Sequence, residues 1–248
     1  MDYIRIIPSL LLLNKKLVKG VCFKNFKNAG SPLSTITAFD SQGADEILIM
    51  DIDTYLDKKK EPDYEIIKKI SEISSTPITF GGGIRNIEIA KKIIRLGIEK
   101  IYLNRIVFEN KNIVTQLIKY LGGQALVIGI NLIKIQGKYR IYEDKENKID
   151  VLKHIIDIQN IEIGEIKITF VDREGKKCGL DLKFCKYIMN YIRVSSIFEG
   201  GIGSLDQLED AFKEKIGAIA LGTMLTFNDY NIVKIKRHLH NKGFNVRL

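Results

Sequence analysis

Two glycine turns set 118 positions apart do most to limit what this chain can fold into. The first, Ile78–Arg85, reads ITFGGGIR, and the second, Ser196–Leu205, reads SIFEGGIGSL. In each, a short apolar run ends in consecutive glycines and a helix-period segment follows. Other pairs recur at nearly the same separation and in the same order. Leu11 and Asn131 are 120 apart, Asp51 and Asp172 are 121 apart, and Asn104 and Gly222 are 118 apart. Self-similarity at a fixed period marks a duplicated architecture. The chain therefore reads as two halves, roughly 1–122 and 123–248.

Apolar runs recur near residues 4–11, 46–52, 77–80, 99–103, 124–131, 165–171, 195–198 and 217–222. Helix-period segments separate them: Tyr64–Ile73, Ile87–Leu96, Val114–Leu121, Val151–Gln159, Lys183–Arg193, Leu205–Glu214 and Asn231–Asn241. Strands that are apolar throughout and alternate with helices form a parallel sheet covered on both faces. Eight such units in 248 residues predict one α/β domain, a single (β/α)8 TIM barrel built from two half-barrel repeats. An open doubly wound sheet is the alternative, and the half-and-half repeat favours closure. Two strand-end segments are longer. Residues 12–27 read as a loop, and Ile133–Tyr142, IKIQGKYRIY, reads as a hairpin around a glycine.

Chemistry in such a barrel sits at the C-terminal ends of the strands. The residues there are Ser9–Leu11, Asp51, Gly81–Gly83, Asn104, Asn131, Thr169 with Asp172, Glu199–Gly203 and Gly222–Thr223. Glycine lets backbone N–H groups approach an anion, and a helix N-terminus behind them adds partial positive charge. Gly81, Gly82, Gly83 and Asn104 would hold one phosphate; Gly200, Gly201, Gly203, Gly222 and Thr223 would hold another. Lys19 in the first long segment could close over a bound phosphate. A tight turn with no ligand also accounts for the glycines, and an exposed loop position for Lys19.

Composition narrows the function classes. The chain is 45% hydrophobic without an apolar run of membrane-spanning length, so no membrane role is expected. The N-terminus lacks a basic region before its apolar run, which points to the cytoplasm. Cys22, Cys178 and Cys185 show no metal spacing, and His154, His238 and His240 avoid the strand ends, so neither a metal nor a cofactor is expected. Net charge is +9, but the lysines are scattered over helix faces, and the densest run, Lys58–Lys60, is short and reads as solvated loop. Without a basic stripe or stacking aromatics, nucleic acid is not the expected partner. A positive mouth suits a phosphorylated small molecule.

The sequence resembles the cyclase subunit of imidazole glycerol phosphate synthase over essentially its whole length. The resemblance runs through RIIPSL, LVKGVCFKNFKNAGSP, GADEILIMDI, TPITFGGGIRN, KIYLN, GEIKITFVDREGKKCGLD, GGIGSLDQLEDAF and GFNVRL in the family's order. It implies the half-barrel duplication, a substrate with a phosphate at each end, and a glutaminase subunit on the N-terminal face. It also assigns an ammonia entrance, a ring of charges, to Arg5, Glu46, Lys100 and Glu165, all present here.

The departures fall on the catalytic pair. The family's two aspartates, at the ends of strands 1 and 5, match Leu11 and Asn131. Leucine transfers no proton, and asparagine is no base at neutral pH. Glu199 stands where the family has a small residue, and Glu174 replaces a shorter acid. The candidates left for acid–base work are Asp51, Asp172, Glu174 and Glu199, with Asn131 and Thr169 beside them. The expectation is a divergent paralogue that passes ammonia towards a sugar amidotransferase making amidino-sugars for surface polysaccharide. The alternatives are a working cyclase of histidine biosynthesis that uses other carboxylates, and a non-catalytic scaffold binding a phosphometabolite.

Overall fold

The computed structural model describes residues 3–57, 59–227 and 229–248, which leaves Lys58 of the lysine run outside the described residues. Its strands are β1 (Arg5–Leu13), β2 (Lys16–Val21), β3 (Lys24–Gly30), β4 (Ile47–Asp51), β5 (Ile78–Gly81), β6 (Lys100–Leu103), β7 (Leu126–Ile135), β8 (Lys138–Ile141), β9 (Glu165–Phe170), β10 (Ser195–Glu199) and β11 (Ala218–Leu221). Eight of them run parallel in the order β1-β4-β5-β6-β7-β9-β10-β11, and β11 returns to β1 in the register Arg5↔Ala218 to Pro8↔Leu221. That last pairing closes the sheet into a barrel with no free edge.

The crossover helices are Pro32–Ser41, Tyr64–Ile73, Ile87–Arg95, Lys111–Leu121, Val151–Gln159, Leu182–Met189, Leu205–Lys213 and Ile232–Asn241. All but the first open on an Asp, Asn or Ser whose side chain accepts a first-turn backbone N–H: Asp63, Asn86, Asn110, Asp150, Asp181, Ser204 and Asn231. These caps satisfy amides that the helix cannot. The first helix starts instead with Pro32 in its first turn. Only Pro32, Ile36 and Phe39 of its ten residues are buried, a pattern too sparse to stand out in the sequence.

Residues 12–27, read as loop, fold largely as the antiparallel hairpin of β2 and β3, which extends β1 beyond the barrel rim. Its turn places Cys22 and Phe23 at φ of 50° and 60°, a conformation that carries no sequence signal in these residue types. The corresponding strand of the second half, β7, carries the expected hairpin with β8. The repeat also shows in the backbone at the glycine turns. Gly82 and Gly200 have φ of 112° and 114°, and each lies against the carbonyl of the last residue of the preceding barrel strand, Asp51 or Phe170.

Two apolar cores are separate. One fills the space between sheet and helices. The other lies within the barrel and consists of Ile7, Leu48, Tyr102, Val127, Ile197, Ala218 and Ala220, with Met50 packed on it. Among the described residues no helix is long and apolar enough to cross a membrane.

Candidate functional site

Side chains along a strand alternate, so every second residue of each barrel strand enters the interior. On β9 these are Glu165, Lys167 and Thr169; on β6, Lys100 and Tyr102; on β1, Arg5, Ile7, Ser9 and Leu11. At the N-terminal end they meet in a ring of charge. Arg5 pairs with Glu165, and its Nη1 lies 3.4 Å from Glu46 Oε2. Lys100 Nζ lies 2.8 Å from Glu46 and 3.3 Å from Glu165. Thr79 Oγ1 donates to the other Glu46 oxygen at 2.6 Å. Burial works to raise the Glu165 carboxyl, but Arg5, then Lys100, outweigh it and hold the group below its usual value.

Above the ring, Ile7, Leu48, Val127, Ile197 and Ala218 have no solvent exposure and fill the axis. Next comes a layer that combines bulk and charge. Tyr102 lies between Gly81 and Gly129; a Cβ on either glycine would collide with it. Lys167 Nζ sits 5.5 Å from the centre of the Tyr102 ring, pairs with Glu199, and donates to Thr169 Oγ1 at 2.7 Å. Thr169 passes its own hydrogen to Glu199 at 3.4 Å. Burial favours the neutral form of each partner, but mutual attraction overrides it, raising the Lys167 value and lowering that of Glu199.

On this floor stands a cavity of about 320 Å³ at the C-terminal mouth. One wall holds Gly82 and Gly83, with Arg85, Asn104 and Arg105 close by. Asn104 Nδ2 donates to Gly129 O at 3.2 Å, and the Arg105 guanidinium stacks on Tyr55 at 4.5 Å. Three carboxylates among the described residues line the same space, Asp51, Glu109 and Glu143. Asp51, at the end of β4, accepts the Asp53 backbone N–H at 3.0 Å, and burial pushes its carboxyl up to about 6. Glu143, just past β8, accepts from Asn131 Nδ2 at 2.7 Å, and burial pushes its carboxyl up as well. Leu11 and Asn131 complete the wall, so the positions matching the family's aspartates do reach the cavity.

The second glycine turn is arranged differently. Lys19, on β2, is buried in an ion pair with Glu174, and its amine rests against Gly222. Glu174 is raised by burial and by the charge of Glu199, against the pull of Lys19. Gly203 N donates to Gln207 Oε1 at 2.8 Å, and a Cβ on Gly201 would strike the Gly179 carbonyl. Thr223 Oγ1 is buried and has no hydrogen-bond partner among the described residues. Lys19, Glu174 and Glu199 surround a small void beside the main cavity, with Leu11, Phe23, Phe26 and Met50 shared by both.

Of the sequence candidates, Leu11, Asp51, Gly82, Gly83, Asn104 and Asn131 thus line the main cavity, while Gly81 makes room for Tyr102 beneath it. Thr169, Glu174 and Glu199 belong to the buried charge cluster with Lys19 and Lys167. Asp172 lies on the rim, where it accepts Lys134 N at 3.3 Å, and is not among the cavity residues. Gly200, Gly201, Gly203, Gly222 and Thr223 also lie outside that wall. Sequence reasoning missed Glu143, Tyr102, Lys167 and Arg105. The available signal was an ionisable or bulky residue at an inward position of a strand that otherwise reads as apolar, as in EIKITF and KIYL. Among the described residues no group of His, Cys, Asp and Glu is placed to hold a metal.

A closed half-barrel duplication with a charge ring at its base and a glycine-walled cavity at its mouth defines the class of the protein, a single (β/α)8 barrel with its candidate site at the C-terminal mouth. Within that class, the chain belongs to the histidine biosynthesis protein family, whose pattern it matches over residues 5–231. It is 33% identical over 248 residues to imidazole glycerol phosphate synthase subunit HisF of Alkaliphilus metalliredigens, with 98% of each chain covered. It is 31% identical over 249 residues to the same subunit of Sulfurisphaera tokodaii, again with 98% of each covered. A protein of Vibrio vulnificus, named provisionally as imidazole glycerol phosphate synthase subunit hisF3, is 35% identical over 229 residues, which is 90% of this chain and 88% of that one.

Proposed function

We propose that this chain is the barrel subunit of a glutamine-dependent amidotransfer system in the cytoplasm. It takes ammonia from a glutaminase subunit docked at its N-terminal face and binds a phosphorylated small molecule at the opposite mouth. It does not close a ring through the family's aspartate pair. The observation that carries this reading is the presence of Leu11 and Asn131 on the cavity wall, where that pair would work. Proton transfer of this kind is worth roughly 10²–10⁴-fold per group, so a cyclase without either would be severely impaired.

The intact ring of Arg5, Glu46, Lys100 and Glu165 supports ammonia intake, because paired charges can part for a small neutral molecule and re-form behind it. Ammonia must also part the apolar layer of Ile7, Leu48, Val127 and Ile197, and docking of the glutaminase would drive both movements. The acceptor of the ammonia would be a sugar held by an amidotransferase at the mouth, where Tyr55 and Leu56 of the cavity wall are exposed. One observation favours a second reading, a working synthase subunit: Asp51 and Glu143 line one cavity with carboxyls raised above their ordinary values, as proton-transfer groups require.

The deciding experiment supplies the phosphoribulosyl intermediate of histidine biosynthesis with a high concentration of ammonium salt, which bypasses any glutaminase. No imidazole glycerol phosphate, from folded protein that stimulates a glutaminase partner, is the expected result. Product at an ordinary enzymatic rate overturns the proposal in favour of the second reading.

A further inference from the structure

Glu143 brings to the mouth a carboxylate with one buried oxygen left over among the described residues. The chain returns from β8 along β7, and Tyr142 N donates to Asn131 O at 2.8 Å, which fixes the next residue against the cavity. Asn131 Nδ2 then holds Glu143 Oε1 at 2.7 Å. The other oxygen, Oε2, is shielded from solvent and has no hydrogen-bond partner among the described residues. A buried carboxylate oxygen without a donor is costly, and native structures supply one unless a ligand does so. Glu143 lines the cavity, and the same lining carries Gly82, Gly83, Arg85 and Arg105. The cavity thus combines cationic side chains and glycine backbone with a hydrogen-bond acceptor.

We propose that Glu143 Oε2 is the acceptor that recognises a hydroxyl or amino hydrogen of the ligand, with Asn131 as the residue that positions it. The side chain at the end of β7 no longer acts on the ligand itself; it presents a carboxylate from the hairpin that follows. This inference rests on the reading of the Gly82–Gly83 wall as a phosphate end. The cavity takes a phosphorylated compound bearing a hydroxyl or amine, and discriminates against one that ends in carbon and hydrogen.

Two probes of equal length test it: glycerol 3-phosphate and n-propyl phosphate, titrated calorimetrically into the full chain. Wild type should bind the glycerol ester at least roughly tenfold more tightly, the scale of one hydrogen bond to a charged acceptor. Glu143→Gln keeps the shape and the Asn131 contact but replaces the charged acceptor by an N–H, which a ligand hydroxyl can itself accept, so the preference should weaken. Glu143→Leu should abolish it with n-propyl phosphate binding unchanged. Arg105→Ala should weaken both probes together and leave their ratio intact. Equal affinity of wild type for the two probes, or a preference that survives Glu143→Leu, overturns the role of Glu143 and spares the phosphate reading. Binding of neither probe overturns both.

Discussion

Lys167 on β9 and Glu199 on the neighbouring strand β10, 1% and 3% exposed, form an ion pair inside the barrel. Both are flanked by a second buried pair, Lys19 with Glu174. Taking such charges out of water costs several kcal/mol per ion, and only the partner offsets it. Lys167→Met should therefore destabilise the protein by about 3–5 kcal/mol, because Glu199 loses its direct ionic partner and Lys19 is already paired with Glu174. The double variant Lys167→Met, Glu199→Gln should recover most of that loss. Urea denaturation of the three proteins checks this; a single variant as stable as wild type would show that the pair is not what keeps Glu199 buried.

The barrel was legible because its information is periodic. Apolar strand runs, helix-period segments and two glycine turns repeat, and each repeat reports the same backbone geometry. The charge ring was legible only through a family pattern, since nothing in the spacing of Arg5, Glu46, Lys100 and Glu165 shows that they meet. The mouth was legible in part. Asp51 and Asn104 end strands and were found there, but Glu143 was not, because it arrives by a hairpin from beyond β7. Glu199 ends a strand as well, yet Lys167 draws it into the interior. Which strand-end acid faces a ligand is decided by such pairings between distant residues, and those leave no mark on local sequence.

The ring at the base can be tested apart from any partner. Lys100 bonds both Glu46 and Glu165, and about a quarter of its side chain is exposed. Lys100→Met leaves two carboxylates on Arg5 alone, which should cost about 1–3 kcal/mol, less than at Lys167 because water can reach the site. Arg5 already holds Glu165 below its ordinary value, so this carboxylate stabilises the fold above the normal carboxylate range, and the benefit is lost as pH falls through the lowered value. The variant should therefore lose less stability than wild type on acidification from pH 6 to pH 3, as measured by urea midpoints. An unchanged pH slope would mean that Lys100 contributes nothing to the ring.

Glycine is required at position 82 for reasons that precede any ligand. Its φ is 112°, and a Cβ there would collide with the Asp51 carbonyl. Gly82→Ala should cost about 2–4 kcal/mol, from backbone strain together with displacement of the end of β4. Gly43 provides the control: its φ is 72°, and nothing lies within 4 Å of the added carbon, so Gly43→Ala should cost only about 1 kcal/mol. Thermal unfolding of both variants makes the comparison, and equal losses would show that the packing of Gly82 on Asp51 is unimportant.

Asp51 is held at the expense of stability. In the folded chain burial lifts its carboxyl from an ordinary 3.8 to about 6. The folded state therefore keeps its proton to higher pH than the unfolded state does. Between about pH 4 and pH 6 the native protein binds more protons, so stability falls as pH rises, by about 3 kcal/mol for such a shift, and stays low above pH 6. Asparagine has no proton to lose, and its oxygen can still accept the Asp53 backbone N–H that Asp51 accepts at 3.0 Å. Asp51→Asn should raise the melting temperature by about 5–10 °C at pH 8 and leave it nearly unchanged at pH 4. An equal shift at both values would assign the effect to packing rather than charge. The predicted pattern would mark Asp51 as a carboxylate kept at the mouth against the interest of the fold, which is what a group that serves a ligand requires.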